Sequence, residues 1–399
     1  MKNNIAQKNI PQGWNQTTLE KIMVENAKSK LKVSDADNIG SYPFFTSGEK
    51  VFSHSDFFVK GENIYMATGG VANIKFFNGK ASYSTDTYSF KSKENTEFLY
   101  YILLNNIKNI NKQHFSGSGL KHLQKNDLKK NFILLPSITE QQKIAEILGA
   151  VDEDIAKTQD VIEATEKLKK GLMQELFTRG IDHTKFKKTK LGEIPEEWEV
   201  GGFENFVNPE DKNAIKLGPF GSTLKKEFYV EKGFKIYGQE QVIKGDSTFG
   251  NYYISEKKYK ELEAFKISAG DILISLVGTI GKILIVPENF ERGVINPCLL
   301  KITPDKRRAD SKFIAHLLKS DFLIQQMSQK SHGGTMNILN KGMLMSVMVG
   351  LPSLDEQQKI AEILSAVDEK IFINKKLKNK LIFLKKGLMQ DLLSGKVRV

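Results

Sequence analysis

The sequence predicts an α/β protein: two mixed α/β domains separated by two long antiparallel coiled-coil helices, with the halves related by an internal repeat. Three observations predict it. A block near residue 135 is written again 216 positions later. Each copy of that block carries apolar residues at helical spacings of three and four. Upstream of each copy, short apolar runs alternate with glycine turns and one helix-like stretch.

The repeat is near-literal. Leu135-Pro136-Ser137, Glu140 to Leu148 and Ala150-Val151-Asp152-Glu153 return as Leu351-Pro352-Ser353, Glu356 to Leu364 and Ala366-Val367-Asp368-Glu369. Leu168-Lys169-Lys170-Gly171-Leu172-Met173-Gln174 returns as Leu384 to Gln390. Fainter echoes lie upstream. Ile10-Pro11-Gln12-Gly13-Trp14 matches Ile194-Pro195-Glu196-Glu197-Trp198, and these hold both tryptophans of the chain. A period this long means two fused domains, not a solenoid of short repeats.

The expected boundaries are a first domain over 1–136, a first long helix over 137–178, a linker over 179–193, a second domain over 194–352, and a second long helix with a tail over 353–399. Within the domains, Asn63 to Thr68 and Asn73 to Phe77 read as strands about the Gly69-Gly70 turn. Ile272 to Val277 and Lys282 to Val286 do the same about Gly278 and Gly281. Glu97 to Leu104 and Lys312 to Leu318 are the helix-like stretches. Trp14 and Trp198, in their shared setting, are expected to pack where each domain begins.

In the long helices, Thr139 or Asp355 is placed to cap, with Gln142 or Gln358 completing a capping box. The seam runs through Ile144, Leu148, Val151, Ile155, Thr158, Ile162 and Leu172, and again through Ile360, Leu364, Val367, Ile371, Asn374, Leu381 and Leu388. Read on apolar residues alone, through Ile155, Ile162, Leu168, Leu172 and Leu176 and through Ile371, Leu377, Leu381, Leu384 and Leu388, it slips phase near the middle. Helices this amphipathic need partners. Antiparallel pairing of the two copies asks least of the linker's reach, and it is expected to set Thr158 and Asn374, equivalent polar positions, face to face.

Composition narrows the function. With 59 Lys and Arg against 47 Asp and Glu, the chain carries a formal net charge of +12, which attracts polyanions. One cysteine, Cys298, excludes a disulfide framework. The opening residues lack a secretory core, and the longest apolar stretch, Ile272 to Val286, is broken by polar residues and glycines. A cytoplasmic protein is expected. No Asn/Asp-Pro-Pro-aromatic methyltransferase motif is present, Gly278-Thr279-Ile280-Gly281-Lys282 lacks phosphate-loop spacing, and the histidines lack metal-ligand spacing. The chain is expected to be non-catalytic.

The doubled Leu-Pro-Ser…Glu-Gln-Gln-Lys-Ile-Ala block resembles the DNA-specificity (S) subunit of type I restriction–modification systems. So do Tyr42-Pro43-Phe44-Phe45-Thr46-Ser47-Gly48 and the Gly270 to Ser275 stretch. The resemblance covers essentially the whole chain. It implies two target-recognition domains, each reading half of a bipartite double-stranded DNA target, with helices that set the spacer and dock two methyltransferase (M) subunits. In some such systems restriction (R) subunits also join. It implies no cofactor on this chain, with S-adenosylmethionine and ATP on the partners. The competing reading is a coiled-coil scaffold that organises proteins without reading DNA.

Base discrimination requires polar side chains at groove edges, and glycine allows close approach. The matching Gly-rich segments offer Ser116, Ser118, Lys121 and His122 in the first copy, and His332, Thr335 and Asn337 in the second. Further candidates are Tyr83, Ser84 and Thr85, Gln239 and Gln241, and the turns at Gly69, Gly70 and Thr279. For each the competing expectation is an ordinary solvent loop or turn.

Overall fold

The computed structural model describes residues 10–37, 39–329 and 341–399. The chain divides into two compact units, Met1–Asp160 with Lys375–Val399, and Val161–Asn374. Each unit thus owns one domain and a half of each long helix.

In the first unit the central sheet has four antiparallel strands in the order Met23–Glu25, Thr87–Ser92, Glu62–Ala67 and Ile74–Asn78. A smaller sheet joins Phe52–His54, Tyr42–Phe45 and Ser82–Tyr83, the last pair parallel. Helix Thr96–Asn105 packs on the central sheet, started by Asn95, whose Oδ1 accepts the Phe98 N–H at 2.7 Å. Trp14, Ile64, Phe90 and Phe98 share one core with Ile144 and Leu148 of the first long helix and Met389 and Leu392 of the second.

The second unit repeats this plan. Ile215–Leu217, Leu299–Ile302, Ile272–Ser275 and Ile283–Ile285 form its central sheet, equivalent strand for strand. Its smaller sheet pairs Phe234–Tyr237 with Gly293–Ile295 in parallel. Helix Ser311–Leu317 starts at Asp310, which accepts the Phe313 N–H at 2.8 Å. Met173, Leu176 and Phe177 from the first long helix join Ile360 and Leu364 from the second in its core, beside Trp198 and Phe313. The stretch after Arg179 is not bare linker: Phe186–Thr189 and Gly192–Pro195 pair as a hairpin.

The long helices run Ile138–Arg179 and Leu354–Leu392. Their start differs from expectation. Ser137 and Ser353, not Thr139 and Asp355, cap them, each hydroxyl accepting the N–H of Glu140 or Glu356 at 3.3 Å. Gln142 and Gln358 point into solvent. The neighbouring Gln141 and Gln357 instead turn back, donating to the carbonyls of Pro136 and Pro352 at 3.0 and 3.1 Å.

Within each unit the two helix halves are antiparallel. In the first, Glu140 meets Arg398, Asp152 meets Lys385, and Gln159 meets Lys378, so a step forward along one helix is a step back along the other. In the second, Lys169 meets Asp368 at 2.6 Å and Ile181 N–H meets Glu356 at 2.9 Å. Ile144, Leu148, Ile162, Ile360, Leu364 and Ile371 are buried, while Val151, Ile155, Leu172, Val367, Leu381 and Leu388 are half-buried.

The expected phase slip is absent. Shielded positions continue at spacings of three and four through Thr158, Ile162, Thr165, Lys169 and Leu172, and Leu168 lies outside, 56% exposed. Polar residues hold the middle of the seam, which is why an apolar-only reading lost its phase. The expected Thr158–Asn374 pairing is also corrected. Thr158 donates to its own helix at Asp154 O and Asn374 to its own at Lys370 O. The register that joins Gln159 to Lys378 sets Thr158 level with Asn379 instead.

Candidate nucleic-acid interface

In the first unit two hairpin tips lie side by side. One is the turn from Thr68 to Asn73 between two strands of the central sheet. The other is the Ser116 to His122 loop, closed by the pairing of Phe115–Ser116 with His122–Leu123. The Gly-rich segment Ser116 to His122 is therefore itself a hairpin. Backbone bonds clamp the tips together: Gly70 N–H donates to Lys121 O and Leu123 N–H to Thr68 O, both at 2.9 Å. Gly69 also bridges to His122. Asn111, on the helix Ile107–His114, accepts the Ala72 N–H at 2.8 Å and braces the turn from behind. Gly70 takes a φ of 79°, a conformation that favours glycine.

This arrangement brings together Gly69, Gly70, Ser116, Ser118, Lys121 and His122, and the last four are exposed. Backbone amides, hydroxyls, an ammonium and an imidazole thus share one surface, held by bonds rather than by a mobile loop. Such a surface can meet both phosphates and base edges. Asn111, its brace, carried no signal in the sequence: it is one polar residue on a polar helix.

Other candidates are corrected. Tyr83 is buried and its hydroxyl donates to Ala27 O. Ser84 is fully buried and bonded to Asp86 and Thr87. Both brace the crossing from the smaller sheet, so neither side chain reaches solvent. Thr85, the next residue, is exposed.

In the second unit Gln241 is likewise structural. It is 2% exposed, its Oε1 accepts the Gly238 N–H at 2.9 Å, and its amide donates to Phe249 O at 2.9 Å. Gln239 is half-buried beside the central-sheet turn, with its Oε1 4.0 Å from where a Cβ on Gly278 would stand. Thr279 is exposed at the apex of that turn, and its carbonyl accepts from Ser275 Oγ at 2.5 Å. The structure therefore sets Gln239 beside the turn that carries Thr279, which the sequence offered separately. His332, Thr335 and Asn337 lie outside the described residues.

Among the described residues no group of three or more His, Cys, Asp or Glu is placed to hold a metal ion. No helix among them is long and apolar enough to cross a membrane.

The comparisons with known proteins agree with this architecture. A sequence profile of the type I restriction modification DNA specificity domain matches residues 11–166 and 184–382, one match in each half. The chain belongs to this family. As a specificity-domain protein it is 26% identical to the type I restriction enzyme MjaVIII specificity subunit of Methanocaldococcus jannaschii, over 98% of this chain and 94% of that one. It is 32% identical to the putative MjaX specificity subunit of the same organism, over 77% and 70% of the respective chains. In fold it is similar to the crystal structure of a type I S subunit from M. genitalium, with a TM-score of 0.65 at 18% identity, covering 98% of this chain and 99% of that one.

Proposed function

We propose that this specificity-domain protein is the non-catalytic DNA-reading subunit of a type I restriction–modification complex. The observation that carries the reading is the pair of equivalent sheets whose tips have diverged on a preserved helical scaffold: Gly69-Gly70-Val71 on one, Gly278-Thr279-Ile280 on the other. Two readers of the same plan with different tips suit a bipartite target with unlike half-sites. We assign the reading to the domains at 1–136 and 194–352. The groups facing DNA are Gly69, Gly70, Thr85, Ser116, Ser118, Lys121 and His122 in the first, and Gln239 and Thr279 in the second. The helices at 137–178 and 353–399 fix the spacer between half-sites, and 179–193 leads from the first helix into the second domain.

The chain docks methyltransferase and restriction subunits, which carry S-adenosylmethionine and ATP, and works in the cytoplasm where that DNA lies. The second long helix supports docking, because within the first unit it turns Leu377, Ile382, Phe383 and Leu384 to solvent, with Phe383 79% exposed. Exposed apolar side chains clustered along a water-facing helix suit a protein contact.

The test is a mobility shift on a bipartite duplex, with and without the methyltransferase subunit, after methylated-adenine sequencing has defined the target. Binding should fall steeply as salt rises, tolerate changes of spacer sequence, and fail when spacer length changes. Binding indifferent to both half-sites would leave the coiled-coil scaffold as the better account.

A further inference from the structure

The inference rests on the DNA-reading function proposed above and concerns what the first unit reads. Its clamped double tip carries two aliphatic side chains left mostly in water: Val71, 72% exposed, and Leu120, 65% exposed. Single exposed aliphatics are ordinary. These two, however, sit on adjoining tips: Leu120 Cδ2 is 3.7 Å from where a Cβ on Gly69 would stand, and Val71 follows two residues later. Lys121 and His122 flank them. The backbone beneath is fixed by the bonds to Lys121 O, Thr68 O and Asn111. The second unit keeps the feature with different residues, Val277 and Ile280 standing exposed on either side of Gly278-Thr279.

We propose that Val71 and Leu120 contact thymine 5-methyl groups in the major groove of the half-site read by the first unit. The thymine methyl is the apolar group that base pairs present in that groove. Two side chains are far too little for a protein partner, since a stable interface buries roughly 800 Å² on each side. They suit one or two methyls, with Lys121 meeting phosphate and His122 a phosphate or base edge. A projecting aliphatic pair thus adds sequence information that the surrounding polar groups do not supply.

The experiment uses the chain assembled with its methyltransferase subunits and duplexes carrying the sequenced target. Each thymine is replaced in turn by deoxyuridine, which removes only the methyl. For the wild-type chain, at least one replacement in the first unit's half-site should weaken binding by about three- to fivefold, the scale of one buried methyl. In the V71S/L120S double variant, parent and deoxyuridine duplexes should bind equally, while the other half-site's response stays unchanged. Thermal unfolding should match the wild type, because both side chains are exposed.

If wild type binds the target but tolerates every deoxyuridine, the inference fails while the DNA-reading function stands. It also fails if the double variant keeps the deoxyuridine penalty, or if it weakens binding without altering that penalty, as a wedge between bases would. If wild type shows no preference for the target over unrelated duplex, the function itself is wrong and the inference falls with it.

Discussion

Lys385 Nζ lies 2.6 and 2.7 Å from the two carboxylate oxygens of Asp152, and its counterpart in the repeat, Lys169, lies 2.6 Å from Asp368. Both lysines occupy seam positions that would ordinarily be apolar, and both are largely shielded. A charge there tolerates only a register that delivers its carboxylate, the way a polar residue fixes pairing in a coiled coil. Asp152 also accepts from the Tyr101 hydroxyl at 2.9 Å. Lys385→Met should destabilise the first unit by about 1–2 kcal/mol, discounted because Asp152 is partly wet. The charge-exchanged pair, Lys385→Asp with Asp152→Lys, should recover part of the loss in urea unfolding. No recovery would show that the pair does not set register.

Arg398 forks onto both carboxylate oxygens of Glu140, which is almost fully buried, and donates to Gln12 O. The guanidinium holds the Glu140 carboxyl below its usual range. Because the folded value is depressed, this stabilisation is complete above the ordinary glutamate range and lost as pH falls through the lowered value. Arg398→Ala should leave a buried carboxylate unpaired and cost about 2–4 kcal/mol near neutral pH. Thermal unfolding at pH 7 and in mild acid should show the penalty shrinking as Glu140 takes up a proton.

His316 stands where the first unit has Tyr101, bonded to Ser365 at 3.1 Å and 3.8 Å from Asp368. Burial pulls its imidazole down to about 4 from 6.5, against the attraction of Asp368 and with repulsion from Lys169, Lys319 and Lys312. The ring is neutral when folded, so the unfolded chain takes up the proton first. Stability is therefore full above about 6.5, falls as pH drops toward 4, and then levels. The shift corresponds to about 3 kcal/mol. Hydrogen exchange in Ser311–Leu317 should accelerate between pH 7 and 4.5 after correction for intrinsic rates. His316→Gln should flatten that dependence.

Lys121 and Gln241 separate reading from support. Lys121→Ala should weaken duplex binding across sequences and lower the salt slope by about 1, without altering thermal stability. Gln241→Ala removes the partner of Gly238 N–H and should cost stability by about 1–3 kcal/mol. A Gln241→Ala protein that stays as stable as wild type but changes its target sequence would reverse the assignment.

Phe383 tests docking. Phe383→Glu should change stability by less than about 0.5 kcal/mol, because the ring is already in water. It should nonetheless weaken co-purification with the methyltransferase subunit. The equivalent position in the first copy is Lys167, so the two helices offer partners unlike faces. Native mass spectrometry should then show a complex holding fewer methyltransferase copies than wild type.

What was legible in the sequence follows from which interactions are local or repeated. The helix at Thr96–Asn105 was legible in the stretch Glu97 to Leu104, and the turn at Gly278 through glycine, because helical runs and turns are written in neighbouring residues. The seam lysines were visible only as a literal repeat. Their apolar-looking role depends on Asp152 and Asp368, which lie far away in the chain. Tyr83, Ser84 and Gln241 misled because a polar residue in a turn reads the same whether it faces solvent or a buried carbonyl. Only the fold decides which. The parallel pairing of Phe44-Phe45 with Ser82-Tyr83 likewise left no periodicity to read.

Met389 and Leu392 finish a core that opens at Trp14. During synthesis, residues up to 160 leave the ribosome long before those after 375, a delay on the order of ten to forty seconds at ~5–20 residues per second. Until then Ile144 and Leu148 lack part of their covering. In the second unit the closing segment follows its domain directly: Ile360 and Leu364 emerge just after Val349 and Leu351, with Met173, Leu176 and Phe177 already made. The half that begins first is therefore completed last, and a nascent chain has a long interval in which a chaperone or a partner subunit can occupy the uncovered helix.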